Sequence, residues 1–492
     1  MSTLPTGRSR TIALIVILAA TFMQLLDISI VGVAAADIQH NLDSGAGGIA
    51  LVLVGYQIGF ACTLITAARL GDIYGRRRLF LIGMIAFTVA SVLCGLAPSI
   101  GVLIAARVVQ GIASGLMFPQ VLTVIQVMYA PEERGSALGA YGTTIGLGTI
   151  LGPVIGGALI QFHLFPDAWR AIFFVNVPIG IAAIIGGVRL VPESTAPDRP
   201  RLDLTGAALS AVGLGLLLYP IAQGPSQGWP PADLAMLAAG AVVLVGFVLL
   251  QRARTRNGQF PLLDLRLFDN RSFTIGSVLS VAFYMGIPGF FLVLSLFLQD
   301  GNQFGPFATG LTILPFALGA AITATPADAI AAKLGRGVIA AAVGLLITGM
   351  TVMIGTLALV GPNANGFTLI PAMLIGGLGF GLFVPTLIDL VLTGVPVQRA
   401  GAASGALTSL QQVGGALGVT LAGLVFTNTL TRAGATDPTA FRTAMTAALI
   451  YEIAVFAIAL LLVPALPKTR TTRARPTYGQ GAKRGALPPH QA

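Results

Sequence analysis

Long apolar runs, separated by short polar breaks, make up most of this 492-residue chain. A helix needs roughly 20 apolar residues to cross the hydrocarbon of a bilayer, and runs of that length are the main sequence signal of a membrane span. The pattern predicts an all-α membrane protein with fourteen spans, an even number that places both chain ends on one side of the membrane. We expect the spans at about residues 12–35, 48–68, 79–97, 102–128, 136–162, 171–190, 205–222, 233–250, 272–298, 307–332, 337–360, 367–394, 401–429 and 442–465.

The positions of the basic residues predict which side the chain ends occupy. If both ends are cytoplasmic, most of the 28 Lys and Arg residues fall in cytoplasmic segments. The exceptions are Arg170, Arg432 and Arg442 in outer loops and Arg107 inside a span. Cytoplasmic loops of membrane proteins carry such an excess of basic residues. We therefore expect a multi-pass protein of a bacterial inner membrane with both termini in the cytoplasm.

The composition narrows the class further. Hydrophobic residues make up 55% of the chain and charged residues 9%, and the net charge of +10 is concentrated in the cytoplasmic segments. We expect contact with the lipid bilayer and none with nucleic acid. Cys62 and Cys94 both fall in predicted spans, which argues against a disulfide framework. The sequence contains no soluble catalytic module, metal-ligand cluster or phosphate-binding loop, so we expect no enzyme activity, no cofactor and no drive by ATP.

An internal repeat relates two parts of the chain. Pro131 and Arg134 follow span 4 with the same spacing as Pro396 and Arg399 after span 12, and small residues follow both pairs. The offset predicts two six-helix bundles with two helices inserted between them, and in transporters with such repeats the substrate site lies between the halves. We expect a cytoplasmic tail at 1–11, a first bundle at 12–191, the inserted helices and their linkers at 192–270, a second bundle at 271–466 and a disordered basic tail at 467–492.

Four charged residues fall inside the long apolar stretches: Asp27, Arg107, Asp389 and Glu452. An ionisable side chain in hydrocarbon costs a few kcal/mol or more and is usually functional. A rise of about 1.5 Å per helical residue places both Asp27 and Arg107 roughly 8 to 9 Å below the outer face of the bilayer. This shared depth predicts an ion pair, which serves either proton coupling or the static order of the bundle.

The other two intramembrane charges are carboxylates without a basic partner in any predicted span. Asp389 lies in the cytoplasmic third of span 12 and Glu452 near the middle of span 14, and none of the three histidines falls in a span. Burial favours the neutral, proton-binding form of a carboxyl group. Each is predicted to accept a proton or to pair with a cationic substrate; the alternative is a protonated side chain bonded to a neighbouring helix. Gln411 and Gln412 are polar at membrane depth, so we expect one of them to face the substrate cavity.

The loop between spans 2 and 3 contains Gly71, Asp72, Gly75, Arg76 and Arg77. The glycines allow a tight turn and a close approach of helices. Asp72 stands at a helix end, within reach of the arginines and of the positive N-terminus of span 13. We predict a conformational latch at this loop, the alternative being an ordinary basic cytoplasmic loop.

Span 5 carries a ladder of small residues, Gly148, Gly152, Gly156 and Gly157, around Pro153. Small residues let helix backbones approach closely in lipid, and a proline removes a backbone hydrogen bond and bends its helix. The ladder therefore predicts a pivot between the two halves, with ordinary helix packing as the alternative.

Five segments resemble motifs of the major facilitator superfamily, and specifically of its fourteen-span drug:proton antiporter branch. The resemblance rests on the loop 69–78, on 26–31 around Asp27, on Arg107-Val108-Val109-Gln110-Gly111, on 148–157, and on 169–180 at the entry to span 6. It implies that Arg107 serves proton coupling, with Gln110 in the same motif, and that span 5 carries the antiporter motif of the family. It also implies that the protein exports drugs.

Together these features predict a proton-coupled antiporter that exports hydrophobic drugs, antibiotics or related small molecules, cationic ones included, by alternating access as a monomer. Its partners are then the small-molecule substrate, protons and lipid. Uptake or exchange of a metabolite in the same fold is the alternative within transport. A membrane-embedded enzyme would gather acid–base or metal groups at one membrane face, and a sensor would carry a soluble domain; the sequence favours neither.

Overall fold

The computed structural model describes residues 7–44, 46–130, 133–162, 167–195, 202–259, 261–361, 365–392, 395, 400–434 and 438–466. The predicted tail at 467–492 and residues 1–6 of the predicted N-terminal tail lie outside this part of the chain. The described residues form helices joined by short turns, without a strand. A helix satisfies its own backbone hydrogen bonds, which hydrocarbon cannot do, so the long apolar runs take this conformation.

Fourteen helices of the described chain are long and apolar enough to cross a membrane, when the bent second helix counts as one span. Each coincides with a predicted span, which confirms the all-helical membrane fold. We label them in chain order α1 (Gly7–Val33), α2 (Ala46–Tyr74), α3 (Arg76–Gly95), α4 (Ile100–Met128), α5 (Arg134–Gln161), α6 (Ala168–Leu190), α7 (Leu204–Gln227), α8 (Pro231–Arg256), α9 (Arg271–Leu296), α10 (Pro306–Ala324), α11 (Gly337–Val360), α12 (Gly366–Leu392), α13 (Ala400–Ala433) and α14 (Pro438–Leu462).

Local sequence signals explain several of the helix ends. Ser99 caps α4, where its side chain accepts a hydrogen bond from the Val102 N–H, and Asn270 caps α9 in the same way. A polar side chain at this position satisfies a backbone donor that the first turn leaves free. In the tight turn between α2 and α3, Gly75 has a φ of 109°, which residues with a side chain rarely adopt.

The two halves repeat one pattern of helix packing. In the first half α1 packs on α5 and α6, α2 on α4, and α3 on α4 and α6. The same pairs recur eight helices later, from α9 on α13 to α11 on α14. Separate hydrophobic clusters fill the two halves, and α5 with α10 and α2 with α13 join them. Because the chain crosses the bundle fourteen times, its two ends lie at the same end of the bundle, called the terminal end below; the other is called the opposite end.

The inserted helix α7 lies beside the seam where α2 meets α13. The Cys62 thiol of α2 donates a hydrogen bond to the Ala211 carbonyl of α7, and the Thr420 hydroxyl of α13 donates one to the Ile221 carbonyl. α7 therefore contacts both halves, while α8 packs mainly on α7.

A buried carboxylate holds the terminal ends of the two inserted helices together. Asp203 caps α7 through the Gly206 N–H, accepts a 2.8 Å hydrogen bond from Gln251 of α8, and pairs with Arg254. Burial alone would raise the pKa of Asp203, but the Gln251 amide, the Gly206 N–H and Arg254 together hold this pKa below its ordinary value. The carboxylate form of Asp203 is thus the form that ties α7 to α8.

Candidate functional site

Asp27 of α1 and Arg107 of α4 form a buried ion pair inside the first half. The Arg107 Nη1 atom donates to Asp27 Oδ2 at 2.5 Å, and the side chains are 1% and 0% exposed. The pairing that their shared depth predicts is therefore present in the fold, while its role in coupling stays a prediction. Such a pair is favourable only if the remaining donors and acceptors of both groups are also satisfied.

Neutral side chains from three helices supply those remaining hydrogen bonds. Gln110 of α4 donates to Asp27 Oδ1 at 3.0 Å and to Ser91 Oγ of α3 at 2.8 Å, and Gln110 Oε1 accepts from Arg107 at 2.7 Å. Asn176 of α6 donates to Asp27 Oδ1 at 2.9 Å. Asp27, Ser91, Arg107, Gln110 and Asn176, all buried, are called the ion-pair network below. It links four helices of the first half through one carboxylate.

Two further contacts position the guanidinium group. Arg107 Nε donates to the Val52 carbonyl of α2 at 3.3 Å, and the guanidinium carbon lies 4.4 Å from the centre of the Tyr56 ring. An aromatic face attracts a cation, most strongly where water is excluded. Cys94 lies beside the same group, with its Sγ atom 3.6 Å from Gln110 Oε1. Loss of the positive charge or of the planar group would therefore disturb several helices at once.

Glu452 of α14 is the second fully buried carboxyl group, and it lies in the second half. Its side chain has no exposed surface, and neither carboxyl oxygen has a hydrogen-bond partner among the described residues. A Cβ atom placed on Gly289 of α9 would lie 2.7 Å from Glu452 Oε1 and 2.8 Å from the Gly418 carbonyl of α13. The Glu452 carboxyl group and the Gly418 carbonyl thus both border Gly289, which leaves no room for a larger residue there. The burial of the carboxyl group suits a group that binds a proton.

Asp389 lies in different surroundings from the other three intramembrane charges. It is exposed and occupies the last turn of α12, at the terminal end. Its position toward the terminal end agrees with the predicted cytoplasmic third of span 12, and its role as a proton acceptor or as a partner for a cationic substrate stays a prediction. It lies one turn beyond Pro385 on the same face of α12.

The two glutamines of α13 also differ from each other. Gln411 is buried and donates to Ser280 Oγ of α9 at 3.0 Å, so it joins two helices within the second half. Gln412 is partly exposed. We predicted that one of the two glutamines faces the substrate cavity, and for Gln412 this stays a prediction.

The predicted latch loop binds the segment that follows α6. Asp72 accepts a 2.9 Å hydrogen bond from Arg76, the Arg76 N–H donates to the Ser194 carbonyl, and the Arg77 N–H donates to Glu193 Oε1. These contacts tie the α2–α3 turn to its own half. The chain just before α13, at 396–399, lies outside the described residues, so the predicted contact with the start of α13 stays a prediction.

On one face, the glycine ladder of α5 packs closely against α1. A Cβ on Gly148 would lie 2.9 Å from a side-chain carbon of α1, and one on Gly156 would lie 2.5 Å from another. A Cβ on Gly152 would overlap Ser29 Oγ, and Ser29 in turn donates to the Gly148 carbonyl at 3.4 Å. Gly157 is buried next to this face. α5 therefore packs tightly along α1, the helix that carries Asp27.

On its other face, α5 touches the second half near Pro153. A Cβ on Gly310 of α10 would lie 2.9 Å from the Pro153 carbonyl carbon and oxygen. This contact lies toward the opposite end of the bundle, since Pro153 is in the later part of α5 and Gly310 is near the start of α10. The pivot role of the ladder stays a prediction, but α5 packs both on α1, which carries Asp27, and on the other half.

A small cavity lies between α5 and α10 in the half of the bundle toward the terminal end. α12 closes its third side, and the lining is almost entirely apolar. The lining residues are Gly142, Thr143, Ile145, Gly146, Leu147, Ala317, Ala320, Ala321, Ala324, Phe380, Gly381, Val384 and Pro385. The halves touch toward the opposite end at Pro153 and Gly310, and they also meet beside the cavity, where a Cβ on Gly142 would lie 3.9 Å from the Pro385 side chain. Asp389 lies one turn beyond the lining residue Pro385, toward the terminal end.

Comparison with known proteins decides the family. A model of the Major Facilitator Superfamily matches residues 17–419, which is most of the chain. The chain belongs to this superfamily. It is 40% identical over 426 residues to the "Probable actinorhodin transporter" of Streptomyces coelicolor, covering 86% of this chain and 73% of that protein.

Other members of the superfamily are similar over nearly the same length. "Multidrug resistance protein Stp" of Mycobacterium tuberculosis is 34% identical over 423 residues, covering 85% of this chain and 76% of the relative. The "Tetracenomycin C resistance and export protein" of Streptomyces glaucescens is 31% identical over 415 residues, covering 84% and 75%. The crystal structure of the human organic anion transporter MFSD10 superposes with a TM-score of 0.61 at 16% identity, covering 93% of this chain and all of that chain. This last likeness concerns the superfamily fold alone.

Sequence reasoning did not single out Ser91 or Asn176 as parts of the site. Both are neutral polar residues, which are common in spans, and only their position on the inward face of α3 or α6 distinguishes them. Asn176 falls in a segment that resembles a superfamily motif, and this was the available signal. Beside the ion pair, the Asn176 side-chain amide donates a hydrogen bond to Ser91 Oγ at 3.3 Å.

Proposed function

We propose that this transporter exports hydrophobic small molecules in exchange for protons, by alternating access between its two halves. The observation that carries the proposal is the Asp27–Arg107 pair, an ionisable pair fully buried at membrane depth. Such groups are costly in a membrane and mark ion or proton pathways. The names of the relatives, which include drug and antibiotic resistance and export proteins, support export and the substrate class.

The excess of basic residues at the terminal end supports an orientation with that end in the cytoplasm of a bacterium. The cavity between α5, α10 and α12 then lies toward the cytoplasm, where a substrate for export is collected. Its apolar lining and the ring of Phe380 suit a flat hydrophobic molecule. Asp389, one turn beyond the lining residue Pro385, suits a substrate that carries a positive charge.

In the proposed cycle, a proton from outside neutralises Asp27 and removes the charge that holds Arg107. Four helices meet at Asp27, and α1 is packed on α5 through Gly152, so a shift of α1 reaches the contact between Pro153 and Gly310. Loss of the proton on the cytoplasmic side restores the ion pair seen here. The ion pair is present in one conformation of the transporter and absent in the other, and this difference in interaction drives the conformational change.

Glu452 is proposed as a second proton-binding group, in the second half. Its burial, without a hydrogen-bond partner among the described residues, favours the neutral acid. It would ionise only after α9 and α14 separate and admit water. We further propose that one chain is sufficient for transport and needs no cofactor, since helices of a single chain enclose the cavity and the ion pair.

The test is ethidium transport in vesicles of purified protein and lipid under an imposed proton gradient. We compare the wild type with Asp27→Asn, Asp389→Asn and Glu452→Gln, and with Asp37→Asn, in the short helix after α1, as a matched control. The wild type and the control should accumulate ethidium against its gradient, Asp27→Asn should lose coupling, and Glu452→Gln should weaken it. Full proton-coupled transport in Asp27→Asn would contradict the mechanism.

A further inference from the structure

The two sides of the ion-pair network differ in polarity. Toward the opposite end it is covered by buried apolar side chains of α1, α4 and α6, which are Ile30, Val31, Leu103, Ile172 and Phe173. Trp169 adds an indole N–H on this side, a group that donates but does not accept. We call the five apolar residues the apolar cap. It separates Asp27 from the opposite end in this form of the protein.

Toward the terminal end the network borders four buried polar side chains, called the polar column: Thr21, Gln24, Tyr56 and Ser114. Each is at most 2% exposed, and Thr21 Oγ1, Gln24 Oε1, Tyr56 Oη and Ser114 Oγ have no hydrogen-bond partner among the described residues. The Gln24 and Ser114 side chains face the Tyr56 hydroxyl. Buried polar atoms are nearly always bonded to protein or to water. The Tyr56 hydroxyl lies within hydrogen-bonding reach of the Ser114 and Gln24 side chains, and a buried group of polar atoms of this kind is also suited to hold water.

The column extends from the ion pair in one direction only. On α1, Gln24 and Thr21 precede Asp27 by one and two turns, which is about 4.5 and 9 Å toward the terminal end. On α4, Ser114 lies two turns beyond Arg107, about 10 Å in the same direction. Tyr56 bridges the two levels, because its ring lies against the Arg107 guanidinium.

We propose that the polar column is the path by which a proton leaves Asp27 toward the cytoplasm when the cavity is open at the terminal end. This rests on the proposed function. The proton passes from the Asp27 carboxyl group to water held by the Tyr56, Ser114 and Gln24 side chains and ends in cytoplasmic water. The carboxylate left behind pairs with Arg107. The titratable and charged groups that face Asp27 are Arg107, Tyr56 and Cys94.

This arrangement makes proton exchange one-sided in each form of the transporter. In the structure, buried apolar residues such as Ile17, Met117 and Val121 lie between the column and the terminal end. In the proposed cycle these residues part when the terminal end opens, while the apolar cap stays closed. Antiport requires this separation, because a carboxyl group open to both sides would leak protons without moving substrate.

The test measures how fast Asp27 releases its proton. Purified protein in detergent is subjected to a pH jump, and the infrared carboxyl band that is missing in Asp27→Asn is followed in time. Tyr56→Phe keeps the ring against Arg107 and removes only the hydroxyl; Ser114→Ala removes the second oxygen. We expect the double variant to release the proton at least roughly tenfold more slowly, as for loss of a positioned proton-transfer group. Its solvent deuterium isotope effect should also change, while Tyr74→Phe, on the exposed surface, should match the wild type.

Separate outcomes overturn the inference and the proposed function. The inference is refuted if the double variant folds and loses the Asp27 carboxyl band after an acid-to-base jump at the wild-type rate. The polar column is then not the path of the proton. The single Ser114→Ala variant serves if the double variant does not fold, with the same criterion. If Asp27→Asn keeps proton-coupled ethidium transport, the proposed function fails instead, whatever the rate through the column.

Discussion

Replacing Arg107 by lysine tests the ion-pair network without changing its net charge. Arg107 donates from Nη1 to both Asp27 Oδ2 and Gln110 Oε1, the latter at 2.7 Å, and from Nε to the Val52 carbonyl at 3.3 Å. A lysine ammonium is a compact point charge and cannot reproduce this planar set of donors. We expect it to keep the Asp27 contact and to leave at least one buried acceptor unpaired.

The cost follows from that unpaired acceptor. A buried acceptor without a donor costs about 1–3 kcal/mol. Local opening of the network should therefore become easier by roughly 5- to 150-fold. The cation–π contact of the guanidinium with Tyr56, at 4.4 Å, is also weakened and adds to the effect in the same direction.

Cys94 provides the assay. It is buried beside Gln110, and Cys62 is the other cysteine of the chain. In a Cys62→Ser background, the rate at which a small maleimide modifies Cys94 reports the opening of the network, since local opening exposes buried groups. The Arg107→Lys variant should react faster by the factor given above.

A matched control separates this effect from a general loss of stability. Arg336 at the terminal end donates to the backbone carbonyls of Pro464 and Leu466, far from the network. Arg336→Lys should leave the Cys94 reaction rate unchanged. An Arg107→Lys variant that reacts no faster than its parent would refute the reasoning, because the guanidinium geometry would then not hold the network closed.

Three other substitutions test contacts elsewhere in the bundle. Gly310→Ala places a Cβ 2.9 Å from the Pro153 carbonyl, so we expect α5 and α10 to separate toward the opposite end, seen as a longer distance between spin labels on the two helices by pulsed EPR. Gly289→Ala places a Cβ 2.7 Å from Glu452 Oε1, and overpacking of this kind costs about 1–3 kcal/mol, seen as a lower unfolding temperature. Because the pKa of Asp203 lies below its ordinary value, its bonds stabilise the protein above that value and are lost as the pH falls through the lowered pKa. The unfolding temperature of the wild type should therefore fall in acid more steeply than that of Asp203→Asn.

Controls and contrary outcomes differ for the three. Gly344→Ala serves both glycine substitutions, because a Cβ there meets nothing within 4 Å. An unshifted label distance in Gly310→Ala would show that the two helices do not close the bundle at that point. Unchanged stability in Gly289→Ala would mean that Glu452 is free to move away. If the unfolding temperatures of the wild type and Asp203→Asn fell equally in acid, Asp203 would not stabilise the contact between α7 and α8.

Depth along a span was sufficient to predict the Asp27–Arg107 pair. Two opposite charges at one level in hydrocarbon are each expensive alone, so the bundle is constrained to bring them together. Depth does not determine which way a side chain points around its helix. For that reason Ser91, Asn176 and Tyr56 could not be assigned to the site before the packing of α2, α3 and α6 was known.

Helix ends and loops were less predictable for a related reason. Asp389 lies in an apolar run, but its exposure depends on where the last turn of α12 ends. The partners of the latch loop depend on the path of the linker after α6, which carries Glu193 to the Arg77 N–H. Hydrophobic periodicity contains no information on either. The contact of α7 with both halves likewise follows from packing, since the inserted helices look like any other spans in the sequence.

Proton release on substrate binding tests the central claim most directly. Ethidium is added to detergent-purified protein in weakly buffered solution, and the protons released are measured with a pH indicator for the wild type, Asp27→Asn and the control Asp37→Asn. If Asp27 carries the exchanged proton, the wild type and the control should release protons and Asp27→Asn should bind ethidium without release. Equal release from Asp27→Asn would contradict the account.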